Sequence, residues 1–234
     1  MKKHIPNLLT CGNLFCGCVG IVATFQGDLV LAAYLTGIAA IFDFFDGFVA
    51  RWLKAYSAIG KELDSLADCV TFGVLPGMIL FHLIRKSINT DLLTPAYLFL
   101  PYIGFIISIF SALRLAKFNI DTRQTTSFIG VPTPANAILI SSFPLILQHH
   151  EASSEILSNT YFLIVLTLIM SYLLIAEIPL FALKFNNYSF RSNRTKYIFL
   201  FLSLLLLLSL QFIAIPCIIA LYILLSLFTK EETT

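Results

Sequence analysis

Residues 43–68 read DFFDGFVARWLKAYSAIGKELDSLAD, between the apolar runs LVLAAYLTGIAAIF (29–42) and CVTFGVLPGMILFHLI (69–84). Each flank, taken with the adjoining part of the stretch, reaches the roughly 20 mainly apolar residues that a membrane-spanning helix needs. The stretch between them is short, so the two helices are antiparallel neighbours. Carboxylates in or beside a bilayer cost several kcal/mol each unless something compensates them, which makes Asp43, Asp46, Asp64 and Asp68 candidates for function.

Outward from this stretch the chain keeps the same character. It has 234 residues, 58% hydrophobic and 12% charged, with a mean hydropathy of +0.89, too apolar for an ordinary soluble domain. Apolar segments recur near 8–25, 30–50, 63–83, 95–116, 133–148, 160–183, 197–210 and 212–228. As one helix, the run from Tyr197 to Phe228 would be nearly 50 Å long, beyond a hydrocarbon core of about 30 Å, so two short spans joined at Gln211 and Pro216 fit better. The expectation is an all-α, polytopic bundle of about eight helices forming one domain over residues 1–234, with its chemistry in 43–68.

The basic residues orient the bundle. With the N-terminus in the cytoplasm, Lys2, Lys3, Arg51, Lys54, Lys61, Arg114, Lys117, Arg123, Lys184, Arg191, Arg194, Lys196 and Lys230 fall inside, and only Arg85 and Lys86 outside. That asymmetry predicts both termini cytoplasmic and an even number of spans. His149 and His150 then fall in an outer loop. Cys11, Cys16, Cys18, Cys69 and Cys217 form no CxxC or Cys/His cluster and read as small buried apolar residues, and no cleavable signal peptide is evident. On the first helix Asn7, Thr10 and Asn13 recur every three residues and share a face, a pattern that usually joins helices.

Asp43 and Asp46 are three apart, Asp64 and Asp68 four apart, so each pair lies on one face of its helix at the cytoplasmic end. Four carboxylates around one small volume need counter-charge, and Arg51 alone is insufficient. All-oxygen sites of this kind suit Mg²⁺ or Mn²⁺, with a diphosphate as the natural third party. Gly47, Ala50 and Gly60 leave room for close approach, and Arg51 suits phosphate oxygens.

The motif DFFDGFVAR, eight residues, then GKELDSLAD resembles, at every defining position, the D-x2-D-G-x2-A-R-x8-G-x3-D-x3-D pattern of the CDP-alcohol phosphotransferases. The resemblance implies that Asp43, Asp46, Asp64 and Asp68 bind two divalent metals, with Asp68 also the base. It implies too that Asn13, Gly47, Ala50, Arg51, Gly60 and Ser65 line the site for a CDP-linked lipid, and that the protein is a homodimer in a bacterial cytoplasmic membrane.

Three further stretches are similar to the integral-membrane phosphatidylserine synthases of bacteria within that family. They are IPNLLTCGNLFCG (5–17), SALRLAKFNID with SFIGVPTPANA (111–137), and, more loosely, LIMSYLLIAEIPLFALKF (168–185). Lys117, Val131 and Asn136 depart from that subfamily's pattern. The likeness implies CDP-diacylglycerol and L-serine as substrates, displacement at phosphorus by the serine hydroxyl, and release of CMP. Arg114, Lys117 and Asn119, at the depth of the aspartates, are the candidate serine-binding residues, because a guanidinium can pair with a carboxylate through two bonds. Glu177, within the sixth apolar segment, reads equally as an interhelical hydrogen-bond partner or as a partner for the serine ammonium. Rival readings are a family member using a phosphorylated acceptor, which needs a richer basic pocket, and a metal-ion transporter, which needs acids spread across the bilayer.

Overall fold

A computed structural model describes residues 4–55, 57–88, 95–121, 127–150, 154–181, 189 and 193–228. Among these, eight main helices form the bundle: α1 (His4–Phe25), α2 (Leu29–Trp52), α3 (Ala58–Ser87), α4 (Leu100–Ile120), α5 (Thr133–His149), α6 (Thr160–Ile175), α7 (Arg194–Leu210) and α8 (Ala214–Phe228). The first four are long and apolar enough to cross a membrane, as is the apolar stretch Arg194–Phe228. At Gln211 (φ 50°) that stretch folds back, and the rings of Phe199 and Tyr222 meet at 5.7 Å, so α7 and α8 form the expected antiparallel pair.

Local chemistry sets the helix starts. Asp28 accepts the Leu31 N–H at 2.8 Å, Ser57 the Gly60 N–H at 3.0 Å, and Asn159 the Phe162 N–H at 3.1 Å. The central helix α3 is the longest single element. Its thirty residues extend about 45 Å, more than the hydrocarbon core, so its ends reach the interfaces. One turn, Cys69–Val74, is π-helical, and the α pattern resumes at Leu75 with Pro76, which has no N–H to donate, directly after the wide turn. The wide turn follows Asp68 directly. It packs against α1, where a Cβ on Gly17 would lie 3.0 Å from Thr71 Cα and collide with its hydroxyl. Around α3 the core is aliphatic, with Leu75, Ile79, Ile84, Ile107, Ile140, Leu163 and Leu174 fully buried.

Three expectations change. The segment 160–183 is not one span: α6 stops at Ile175, and Pro179–Phe181 (β2) pairs antiparallel with Ser127–Ile129 (β1). Pro179 disfavours helix at the residue before it and withholds an N–H, which explains the stop. Glu177 therefore lies beyond the helix, exposed. His149 is not a loop residue but ends α5, its ring 5.0 Å from that of Phe212. Cys11 and Cys18 face outward, where lipid would lie, whereas Cys16 is buried; all five thiols are free.

Contacts at the two ends of the bundle agree with the expected threading. Thr10–Asp46, Asn119–Ser65 and the β1–β2 pair lie at one end. Ser87–Thr160 and His149–Phe212 lie at the other. Of the basic residues used to orient the chain, Lys2, Lys3, Arg123, Lys184, Arg191 and Lys230 lie outside the described residues.

Candidate active site

The acidic stretch folds as the spacing predicts, into the end of α2 and the start of α3. Asp43, Asp64 and Asp68 each place one carboxylate oxygen within 4.8 Å of the others. Asp64 Oδ1 is buried with no hydrogen-bond partner among the described residues. Three carboxylates converging this closely, one with an orphaned buried oxygen, need a positive counter-ion, and their all-oxygen donor set suits a hard divalent cation. Asp46 is turned toward α1. Its Oδ2 lies 2.6 Å from Thr10 Oγ1, closer than the 3.1 Å from that hydroxyl to the Pro6 carbonyl, so the hydroxyl proton is given to the carboxylate.

The polar face of α1 forms the third wall. Asn13 Nδ2 donates to Asp68 Oδ1 at 3.0 Å, and the Asn13 carbonyl accepts from Thr71 Oγ1 at 3.1 Å, fixing α1 to the π turn. Asn13 Oδ1 is buried and has no partner among the described residues, an acceptor still available at the cluster. A Cβ on Gly60 would stand 3.0 Å from Asn7 Oδ1, so that glycine admits the Asn7 side chain. Asn7, Thr10 and Asn13 thus reach Gly60, Asp46 and Asp68 in turn. The helix-joining role expected of this face is correct, but the joints run through the acidic site itself. Thr10 and Thr71 are hydrogen-bonded neighbours of the acidic site and of Asn13 that the spacing of the acids did not identify.

Arg51 is exposed and lies over Gly47, where a Cβ would be 3.6 Å from its guanidinium. Ala50 is half-buried beside it. Ser65 turns toward α4, accepting from Asn119 Nδ2 at 2.8 Å, while Lys61 Nζ donates to the Asn119 carbonyl at 2.9 Å. Asn119 therefore ties α4 to α3. Arg114 is buried, donates to Thr133 Oγ1 at 3.0 Å and lies within Coulombic reach of Asp68. Lys117 is exposed one turn further along.

Comparison with known proteins gives the family. A family model described as CDP-alcohol phosphatidyltransferase matches residues 3–183. The chain belongs to the CDP-alcohol phosphatidyltransferase family. Its curated relatives include a CDP-diacylglycerol–serine O-phosphatidyltransferase of Bacillus subtilis, 38% identical over 136 residues, covering 56% of this chain and 70% of that protein. A protein of the same name from Helicobacter pylori is 38% identical over 137 residues, covering 58% and 54%. An archaetidylserine synthase of Methanothermobacter thermautotrophicus is 32% identical over 152 residues, covering 64% and 61%. The match thus spans from about half to 70% of the length of these relatives. In this CDP-alcohol phosphatidyltransferase, the matched residues contain the acidic cluster, the α1 face that holds it, and Arg114.

Proposed function

We propose that the protein is a phosphatidylserine synthase, transferring the phosphatidyl group of CDP-diacylglycerol to L-serine with release of CMP. The observation that carries this reading is the convergence of Asp43, Asp64 and Asp68, with the buried Arg114 within Coulombic reach of Asp68. The relatives named for serine transfer support the choice of acceptor.

Asp43, Asp46, Asp64 and Asp68 are the residues to hold two divalent cations, Mg²⁺ or Mn²⁺, which when bound would polarise the phosphoryl oxygens and offset charge on the departing CMP. Asn13 orients Asp68 by its amide donor and leaves that carboxylate's remaining acceptor capacity for the serine hydroxyl proton. Serine Oγ forms a bond to the phosphorus that carries diacylglycerol, the proton passes to Asp68, and the P–O bond to CMP breaks with its electron pair on CMP. Gly47, Ala50, Gly60 and Ser65 line the nucleotide's approach, and Arg51 contacts diphosphate oxygens. Arg114, Lys117 and Asn119 lie on the acceptor side, with Arg114 the partner for the serine carboxylate.

We place the site at the cytoplasmic face of a bacterial inner membrane, where water-soluble serine and CMP meet a membrane-bound lipid, and infer a homodimer. The metal-ion transporter reading lacks support, since these four acids gather at one end of the bundle. Purified protein with CDP-diacylglycerol should release CMP only when both serine and Mg²⁺ or Mn²⁺ are present. CMP release unchanged by chelator, or independent of serine, would contradict the proposal.

A further inference from the structure

A small cavity is lined by Arg114, which is within Coulombic reach of Asp68, by Lys117 and Phe118 from the end of α4, by Asp121 just after it and by Glu177 beyond α6. Its charged lining is mixed, two cations and two carboxylates. Arg114 is more than nine-tenths buried, yet its Nε has no hydrogen-bond partner among the described residues. Asp121 has a partner of its own within the protein. Arg114, Lys117 and Glu177 form no ion pair with one another, although they line the same cavity, so opposite charges stand apart across it.

The backbone around Glu177 is anchored although its side chain is exposed. Ala176 N–H donates to Tyr172 O at 2.9 Å, Gly130 N–H donates to Ile178 O at 3.0 Å, and Pro179 pairs with Ile129 in the two-stranded ribbon. These contacts fix the backbone on either side of Glu177, an exposed residue that shares the cavity lining with the buried Arg114. Separated opposite charges match a zwitterion. A phosphate dianion would gain from Arg114 and Lys117 but face repulsion from Asp121 and Glu177.

We propose that this cavity is a zwitterion site in which Glu177 binds the ammonium group of the acceptor while Arg114 takes its carboxylate, making Glu177 a determinant of selectivity for an amino acid over acceptors lacking the amine. The inference rests on the transferase reading above and deepens it by assigning the amine partner. Initial rates with CDP-diacylglycerol and a saturating divalent cation, measured for wild type, Glu177→Gln and Glu177→Asp with L-serine and with D-glycerate, test it. Glu177→Gln should raise the serine KM about tenfold or more with kcat within about threefold of wild type, because a charge-assisted bond to a substrate group remote from the reacting phosphorus is lost. The preference for serine over glycerate should fall by a similar factor, and Glu177→Asp should restore part of it. The KM for CDP-diacylglycerol should not move. A serine KM and serine-to-glycerate preference unchanged in Glu177→Gln would overturn this proposal while leaving the transferase reading in place. A wild-type protein inert toward serine would overturn that parent reading, and this one with it.

Discussion

At the residue scale, the acids are held by donors from a different helix. Asn13 and Thr10 each give a hydrogen bond to a carboxylate, and neither bond is replaced by water in a buried site. Outer partners of metal-binding carboxylates typically matter by 10–100-fold. Asn13→Ala should therefore lower kcat/KM about tenfold to 100-fold and weaken Mn²⁺ dependence, with the folded protein still monodisperse in detergent. Thr10→Val keeps the shape and should weaken Mn²⁺ activation about tenfold, read from rate against metal concentration. Asp68→Asn removes the proposed base and should cost about 100-fold or more in kcat; activity near wild type would remove that role from Asp68. The acids themselves were legible because i,i+3 and i,i+4 spacing puts each pair on one face. Their partners were not, since spacing along α1 tells which residues share a face and not what that face meets.

At the element scale, the end of α6 depends on a glycine far away in sequence. Gly130 has φ 74°, and a Cβ there would lie 2.6 Å from Leu174 O. Its neighbour Val131 donates to Leu173 O at 2.9 Å, giving that helix-end carbonyl a partner. Gly130→Ala should destabilise the protein by about 1–2 kcal/mol from the backbone alone, seen as a thermal shift of at least about 2–4 °C in detergent. It should also displace Glu177 and raise the serine KM. Unchanged stability would contradict the packing described. The glycine and prolines of SFIGVPTPANA were readable as loop punctuation, but two three-residue strands are too short to leave an alternating pattern. Similarly, counting apolar residues carried the sixth segment through to residue 183. Pro179 was the signal that it should stop earlier, and its effect places Glu177 in the cavity instead of within a span.

At the scale of the whole molecule, the apolar runs and the asymmetry of lysine and arginine were enough to predict a helical bundle whose chemistry sits at one end. Composition is decisive there because the bilayer requires every spanning backbone group to be satisfied within helices. The same asymmetry predicts sidedness. On a background without the native cysteines, Lys54→Cys should react with a membrane-impermeant maleimide only from the cytoplasmic side and Arg85→Cys only from the opposite side; the reverse pattern would invert the orientation. On the proposed reading, acceptor choice depends on a few side chains that α4, β1 and the end of α6 bring together, and it is what distinguishes this account from every other use of the same acidic motif. Mass spectrometry of the lipid formed from CDP-diacylglycerol, Mn²⁺ and equimolar L-serine, sn-glycerol 3-phosphate and inositol phosphate tests it most directly. The account predicts phosphatidylserine as the dominant product; a phosphatidylglycerol phosphate or phosphatidylinositol phosphate product with no phosphatidylserine would contradict it.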